Sequence, residues 1–355
     1  MKKIAVIGLG FGDEGKGLST SFLCNKYPGI VIRTNGGHQA GHTVVFNGFK
    51  HVFSQFGSGT LQGNPTYISK NCTIYPSALL KEYQLLKKFN PLLYIDPLTM
   101  ITTPLDKINN QIDLEQVSNG TVGVGFGKTI ERNENFYNLY FQDLFYPSIL
   151  EEKLNSIYYN YYKCGKNIDF QEFIEDCKKL IETKGIKMFQ YKDLQHLFKN
   201  QIFEGSQGIL LDQHHGFFPN VTRSNTTSKN IIELAPDLDE IYYVTRTYQT
   251  RHGNGYMSSH LDKPNLINHE NETNVTDPFQ GTFRYCNLDI ELLRYAIQCD
   301  SNYSGNLIKK NLIITCNDQY SLTEKKLREI ENIIYFNNIY LSNGPSLSDI
   351  TQIKN

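Results

Sequence analysis

Short apolar runs rich in β-branched residues recur along the chain beside glycine or polar turns: Ile4 to Ile7, Gly29 to Ile32, Leu92 to Ile95, Ile202 to Phe203, Ile241 to Val244 and Leu312 to Thr315. Each reads as a strand. Between them, Ser77 to Lys88 and Leu288 to Ile297 carry apolar residues at helical spacing. Strands alternating with such helices predict an α/β fold, with a mostly parallel central sheet and crossover helices.

From about Asn133 to Lys199 the texture changes to many Tyr, Lys, Glu and Asn, with two amphipathic stretches at Ile149 to Tyr162 and Phe170 to Thr183. This segment, 133–199, reads as a helical insertion or cap within one domain spanning 1–355. The chain shows no internal repeat, long Pro/Gly/Ser linker or like-charge block.

Composition narrows the function. The 355 residues are 39% hydrophobic with a formal charge of -1, enough for a sizeable core and without the basic excess of a non-specific nucleic-acid surface. Nucleic acid is therefore not an expected partner, whereas small charged substrates bound by local clusters are. Seven scattered cysteines include no CxxC pair, which suits a reducing cytosol. The apolar run at the start is too short for a signal core or a membrane span, so the expectation is a cytoplasmic protein.

The first strand runs into Gly8-Leu9-Gly10-Phe11-Gly12-Asp13-Glu14-Gly15-Lys16-Gly17, and a helix-compatible stretch follows. Glycine amides and a helix N-terminus make a phosphate cradle. Gly10 to Lys16 fits GxxxxGK, but Gly17 stands where a P-loop needs a Ser or Thr hydroxyl for magnesium. Asp13, inside the loop, is the obvious replacement ligand. The same residues satisfy GxGxxG, yet the candidate second strand ends in Ile32-Arg33-Thr34-Asn35-Gly36-Gly37, without the acid that a dinucleotide ribose requires. A plain glycine turn, for its part, has no need of an acid pair and a lysine. Beyond the second strand, Gly36-Gly37-His38-Gln39-Ala40-Gly41-His42-Thr43 places two histidines in a loop poorly suited to core packing.

GFGDEGKG followed by GGHQAGHTVV resembles the paired signature of adenylosuccinate synthetases. Further segments match in order: Glu204-Gly205-Ser206-Gln207-Gly208 with Leu211-Asp212, Val221 to Thr227 (VTRSNTT), Thr250-Arg251-His252-Gly253 beside the family's TRVG, Thr315-Cys316-Asn317-Asp318, and Ser342-Asn343-Gly344-Pro345. The matches cover most of the chain outside 133–199.

The resemblance implies a ligase that joins L-aspartate to a 6-oxopurine nucleoside monophosphate through a 6-phosphoryl intermediate. It implies Asp13 as the base at purine N1 and as a Mg2+ ligand, the Gly41 carbonyl as a second ligand, and His42 as the acid at the phosphoryl oxygens. Gly12, Gly15, Lys16 and Gly17 would hold the triphosphate. Asp318, with Ser342 and Gly344, would read guanine and so favour GTP. Gln39, Thr121, Gln207 and Thr222 would contact the monophosphate and Arg284 the aspartate. A homodimer is implied, in which a partner arginine reaches the nucleotide phosphate, and Arg132 is the residue here that would do so.

The chain also departs from that family. Gln39 replaces an asparagine, Cys316 a lysine, and in Gln280 to Cys286 only Arg284 remains of an arginine cluster. Compact phage members that use dGMP offer an alternative substrate, but those best known lack the loop acid that Asp13 provides, which puts IMP or dIMP ahead. Retention of Asp13, Lys16 and His42 together argues against an inactive nucleotide sensor, and Gly17 against a GTPase switch.

Overall fold

The structure is a computed structural model that describes residues 1–116, 122–163, 168–194, 196–258, 262–267 and 281–354. In chain order the strands are β1 (Lys2–Gly8), β2 (Ile30–Arg33), β3 (His42–Phe46), β4 (Phe49–Phe53), β5 (Thr66–Ile68), β6 (Thr73–Ile74), β7 (Leu93–Ile95), β8 (Met100–Ile101), β9 (Ile186–Met188), β10 (Asn200–Gly208), β11 (Glu240–Arg246), β12 (Tyr248–His252), β13 (Phe283–Asn287), β14 (Lys309–Thr315), β15 (Asn338–Ser342) and β16 (Ile350–Lys354). Ten of them form one sheet in the order β16-β15-β14-β11-β1-β10-β2-β5-β7-β9. All neighbours in it are parallel except β15 and β16. The expected α/β architecture is present, and each apolar run read from the sequence lies in or overlaps a strand of this sheet.

The sheet is buried on both faces because alternate residues of its central strands feed different cores. Ala5, Ile7, Phe203, Ile241 and Tyr243 pack on one side. Ile4, Val6, Ile202, Tyr242 and Val244 pack on the other. This arrangement explains the unbroken apolar runs: a strand covered on both faces has no solvent side to make polar.

The helices that matter for the site are α1 (Lys16–Lys26), α2 (Pro76–Leu86), α3 (Pro104–Gln116), α4 (Phe126–Glu134), α5 (Pro147–Ser156) and α6 (Gln171–Glu182). The two amphipathic stretches of the 133–199 segment are helical, as expected. They do not stand apart as a cap: Leu150, Leu154, Phe173 and Leu180 share one core cluster with Leu79 and Leu86 of α2. The segment also contributes β9, which pairs in parallel with β7 and ends the main sheet. Its short run Ile186–Met188 gave no clear strand signal because two of its three residues are exposed.

Parallel strands deliver their C-terminal ends to a common edge. At the centre of this sheet that edge gathers the loops after β1, β2, β10, β11 and β14. Ligands of open α/β sheets bind in such a crevice.

Candidate active site

The glycine loop leaves β1 and enters α1 with Gly15 as N-cap at φ 93°, a left-handed conformation that glycine adopts without a Cβ penalty. Asp13 is also left-handed, at φ 62°. Gly17 begins where α1 crosses β3: a Cβ there would lie 2.9 Å from the Thr43 carbonyl oxygen and 3.0 Å from His42. That close approach accounts for the missing P-loop hydroxyl, since any side chain at 17 would push His42 away.

The loop is organised around Glu14, a residue whose role sequence reasoning did not assign. Its Oε1 accepts hydrogen bonds from the amides of Gly10 (3.0 Å) and Gly12 (2.9 Å). Its Oε2 bonds the ammonium of Lys16, and both side chains are buried. Lys16, expected to hold a triphosphate, is therefore held by a carboxylate of its own loop. Two amides and an ammonium converging on one carboxylate nevertheless show that the loop is built for anions.

Asp13 lies beside this nest with its side chain 26% exposed. His252 Nε2 is 3.0 Å from its Oδ2, and Arg246 Nε donates to its backbone oxygen at 2.5 Å. Burial opposes its charge, but the His252 hydrogen bond and the charges of Arg246 and Lys16 outweigh that and hold the carboxyl below its usual range.

His42, at the start of β3, is buried and its Nδ1 is 2.7 Å from Glu204 Oε1. Glu204 also accepts from the Ser58 amide at 3.1 Å and from its hydroxyl. Burial alone would raise the Glu204 carboxyl; His42, Arg33 and Ser58 bring it down to about 2. Burial pulls His42 the other way from its partner and lowers it. The pair is thus an ionised carboxylate fixing one ring nitrogen, so Nε2 is the nitrogen left to face a substrate. Glu204 had been read only as part of a motif.

Around Gly36 and Gly37 sits a group of buried polar atoms without a partner among the described residues: both amide atoms of Gln39, Gln207 Oε1 and Thr73 Oγ1. A Cβ on Gly36 would meet Gln207 Oε1 at 3.6 Å, and one on Gly37 would meet Thr73 Oγ1 at 2.1 Å and Gln39 Oε1 at 3.1 Å, so these atoms share one recess. Buried amides left unpaired are costly, and several together mark a place for a polar ligand. Burial and Lys107 push His38 down to about 4, which keeps it neutral near pH 7. Gly41 borders open space, with only Val52 within 4 Å of an added Cβ.

The remaining expected residues fall in three places. Thr315 flanks the glycine loop, its Oγ1 donating to the Glu14 carbonyl at 2.7 Å, and the turn after it, which carries Asp318, meets the segment of Ser342 and Gly344: the Asn317 amide donates to Ser342 O at 3.0 Å and Ser342 Oγ to Gly344 O at 2.7 Å. Thr222 is tied by its amide to Leu211 O at 2.7 Å. Arg284 lies opposite Arg251 across the β12–β13 pair. Its Nη2 donates to Gly255 O at 3.0 Å while its buried Nε has no partner among the described residues. Thr121 lies outside the described residues.

Arg132 is a correction. Its side chain is wholly buried in α4 and consumed there: Nε and Nη2 bond Asp106 at 2.9 and 3.0 Å, Nη2 also bonds Ile101 O at 2.8 Å, and Nη1 bonds Tyr137 O. An arginine fully spent on a buried carboxylate and two carbonyls cannot reach into a neighbouring subunit. The resemblance made it the match for the family's partner-subunit arginine, but the partner that it answers is Asp106, 26 residues earlier in the chain.

With this geometry in view, comparison with known proteins is informative. Residues 5–325 match the family model described as adenylosuccinate synthetase. The adenylosuccinate synthetase of Thermoplasma acidophilum is 30% identical over 324 residues, covering 84% of this chain and 73% of that protein. That of Hahella chejuensis is 33% identical over 327 residues, covering 84% and 74%. Among solved structures, the fully ligated adenylosuccinate synthetase of Plasmodium falciparum superposes with TM-score 0.80 at 19% identity, covering 100% of both chains. The succinoaminodeoxyadenylate synthetase of cyanophage S-2L, bound to dGMP and dATP, superposes with TM-score 0.69 at 18% identity, covering 99% of this chain and 95% of that one. The loop nest, the Asp13–His252 contact and the His42–Glu204 pair are thus features of a chain that belongs to the adenylosuccinate synthetase family, GTP-dependent ligases that form a carbon–nitrogen bond.

Proposed function

We propose that this ligase condenses L-aspartate with a 6-oxopurine nucleotide, IMP or dIMP, using GTP, in the cytoplasm and as a homodimer. The observation that carries the reading is the meeting, at one sheet edge, of a base (Asp13), a carboxylate-held imidazole (His42) and a recess of unpaired amides (Gln39, Gln207).

In this reading Asp13, kept ionised, takes the N1 proton of the purine, and the electron pair moves to O6, which attacks the γ-phosphorus of the triphosphate and displaces the nucleoside diphosphate. His42 donates from Nε2 to a phosphoryl oxygen as charge builds there. With Nδ1 bonded to Glu204, a donating Nε2 requires the imidazolium; burial disfavours that form in the unliganded site, and the negative charge of the bound triphosphate joins that of Glu204 in favouring it. The aspartate amino group then displaces phosphate from C6, a far better leaving group than an oxo oxygen. Arg284, whose buried Nε has no partner among the described residues, supplies the positive charge for a substrate carboxylate, whereas its cross-strand neighbour Arg251 is spent on the carbonyls of Asn220, Asn254 and Tyr256.

The donor set of one carboxylate and one carbonyl, at Asp13 and Gly41, fits Mg2+, which prefers few protein oxygens supplemented by substrate phosphates. When bound, Mg2+ supplies charge neutralisation on the triphosphate. Lys16 exchanges its Glu14 partner for a phosphate oxygen. Asp318 reads the donor base. The homodimer rests on family membership alone, because Arg132 does not contribute to it.

Assaying phosphate release with IMP, dIMP, GMP and dGMP, each with aspartate and either GTP or ATP, tests the reading. IMP or dIMP exceeds dGMP in kcat/KM and GTP exceeds ATP. A pocket that leaves a 2-amino donor unpaired discriminates by about 1–3 kcal/mol, roughly ten- to a hundred-fold. A clear preference for dGMP overturns the substrate assignment, and release that is independent of aspartate overturns the ligase mechanism for this chain.

A further inference from the structure

The strand that follows β11 runs beneath the glycine loop. Tyr248, Thr250 and His252 alternate along β12, so their side chains emerge on the same side of the strand. Tyr248 bonds Arg246, which grips the Asp13 backbone oxygen; Thr250 Oγ1 lies 3.5 Å from Gly12 O; and His252 Nε2 lies 3.0 Å from Asp13 Oδ2. The end of β11 therefore holds the loop acid by its main chain, through Arg246, and β12 holds it by its side chain, through His252.

His252 is itself braced. Its cross-strand partner in β13 is Phe283, and the two rings pack with centroids 5.1 Å apart. His252 departs from the family pattern quoted above, standing at the valine of TRVG. A valine offers no hydrogen-bond donor to a carboxylate. The departure therefore touches Asp13 directly, and its ring is backed by Phe283.

We propose that His252, backed by Phe283, is a positioning residue for the reaction: by binding Oδ2 it fixes the Asp13 carboxylate so that Oδ1 is presented to the purine. Asp13 needs such a restraint because its left-handed backbone sits in a glycine-rich loop and its side chain is partly exposed, leaving several rotamers open. Misplacing a reacting group by about 1 Å costs on the order of a hundred-fold in rate. The inference rests on the assignment of Asp13 as base.

The test compares His252→Val, His252→Gln and Asp13→Asn by steady-state kinetics, with calorimetric binding of IMP in the absence of aspartate as a second readout. A positioning role predicts that His252→Val lowers kcat about ten- to a hundred-fold, with KM for IMP and its calorimetric Kd within about three-fold of wild type. Gln carries an amide donor at similar reach, so His252→Gln recovers most of kcat. Wild-type kcat in His252→Val, or His252→Gln no better than His252→Val, overturns the proposal while Asp13→Asn remains inactive. Activity in Asp13→Asn overturns instead the assignment of the base on which it depends. Should His252→Val fail to fold, the comparison of His252→Gln with His252→Asn, whose shorter amide falls short of Oδ2, decides: similar kcat in the two overturns the proposal.

Discussion

The Nδ1 of His42 is 2.7 Å from the Glu204 carboxylate, across 162 residues of sequence, from the start of β3 to the middle of β10. The contact fixes which ring nitrogen faces the substrate and supplies the negative charge that an imidazolium needs. Glu204→Gln keeps the shape and removes the charge. Its kcat should fall about ten- to a hundred-fold with KM for the triphosphate little changed, because the interaction matters most as charge develops at the phosphoryl oxygens. Unchanged kcat would show that the pair only packs.

The same carboxylate makes stability depend on acid. Its pKa is about 2 in the folded protein against an ordinary 4.5, so its contribution is complete above 4.5 and disappears as pH falls from there towards 2. The full contribution is on the order of 3 kcal/mol. Urea denaturation across that window should show a steeper loss for wild type than for Glu204→Gln; parallel curves would place the charge elsewhere.

Asp13→Ala and His42→Ala should each reduce turnover by several orders of magnitude, since both act where charge moves in the transition state. Far-ultraviolet circular dichroism should stay close to that of wild type. Near-normal turnover in either variant would remove the acid–base scheme.

Arg132→Met should destabilise the protein by about 3–5 kcal/mol, because Asp106 would be left as an unpaired buried charge bonded only by its neighbours. KM for the purine monophosphate should not change in the folded fraction. A stable variant with a raised KM would return Arg132 to the phosphate site.

Gly208→Ala tests the Glu14 nest. An added Cβ would fall 2.2 Å from both Glu14 Oε1 and Gly10 O, so the loop must shift. The expected result is about 1–3 kcal/mol of lost stability and a raised KM for GTP, with KM for aspartate unaffected. Equal increases in all three KM values would argue for general disorder of the site rather than displacement of the nest.

The local facts of this protein are written in its sequence. Apolar runs covered on both faces reveal the strands, amphipathic spacing reveals α5 and α6, and the two glycine-rich segments with Asp13, Lys16 and His42 reveal nucleotide chemistry. These depend on neighbours within a few positions, where periodicity and turn chemistry act. Tertiary structure alone decided which distant side chains meet. Lys16 bonds a carboxylate two residues away only because the loop folds onto a nest. Glu204 reaches His42 because β10 sits between β1 and β2. His252 reaches Asp13 because β12 turns beneath the first loop. Arg132 matched a family ligand residue by its position after the glycine run, and is instead paired with Asp106. The physical reason is the same in each case: a buried charge must find an opposite charge or a hydrogen bond. The order of strands in the sheet, which local pattern does not encode, determines where that partner is found.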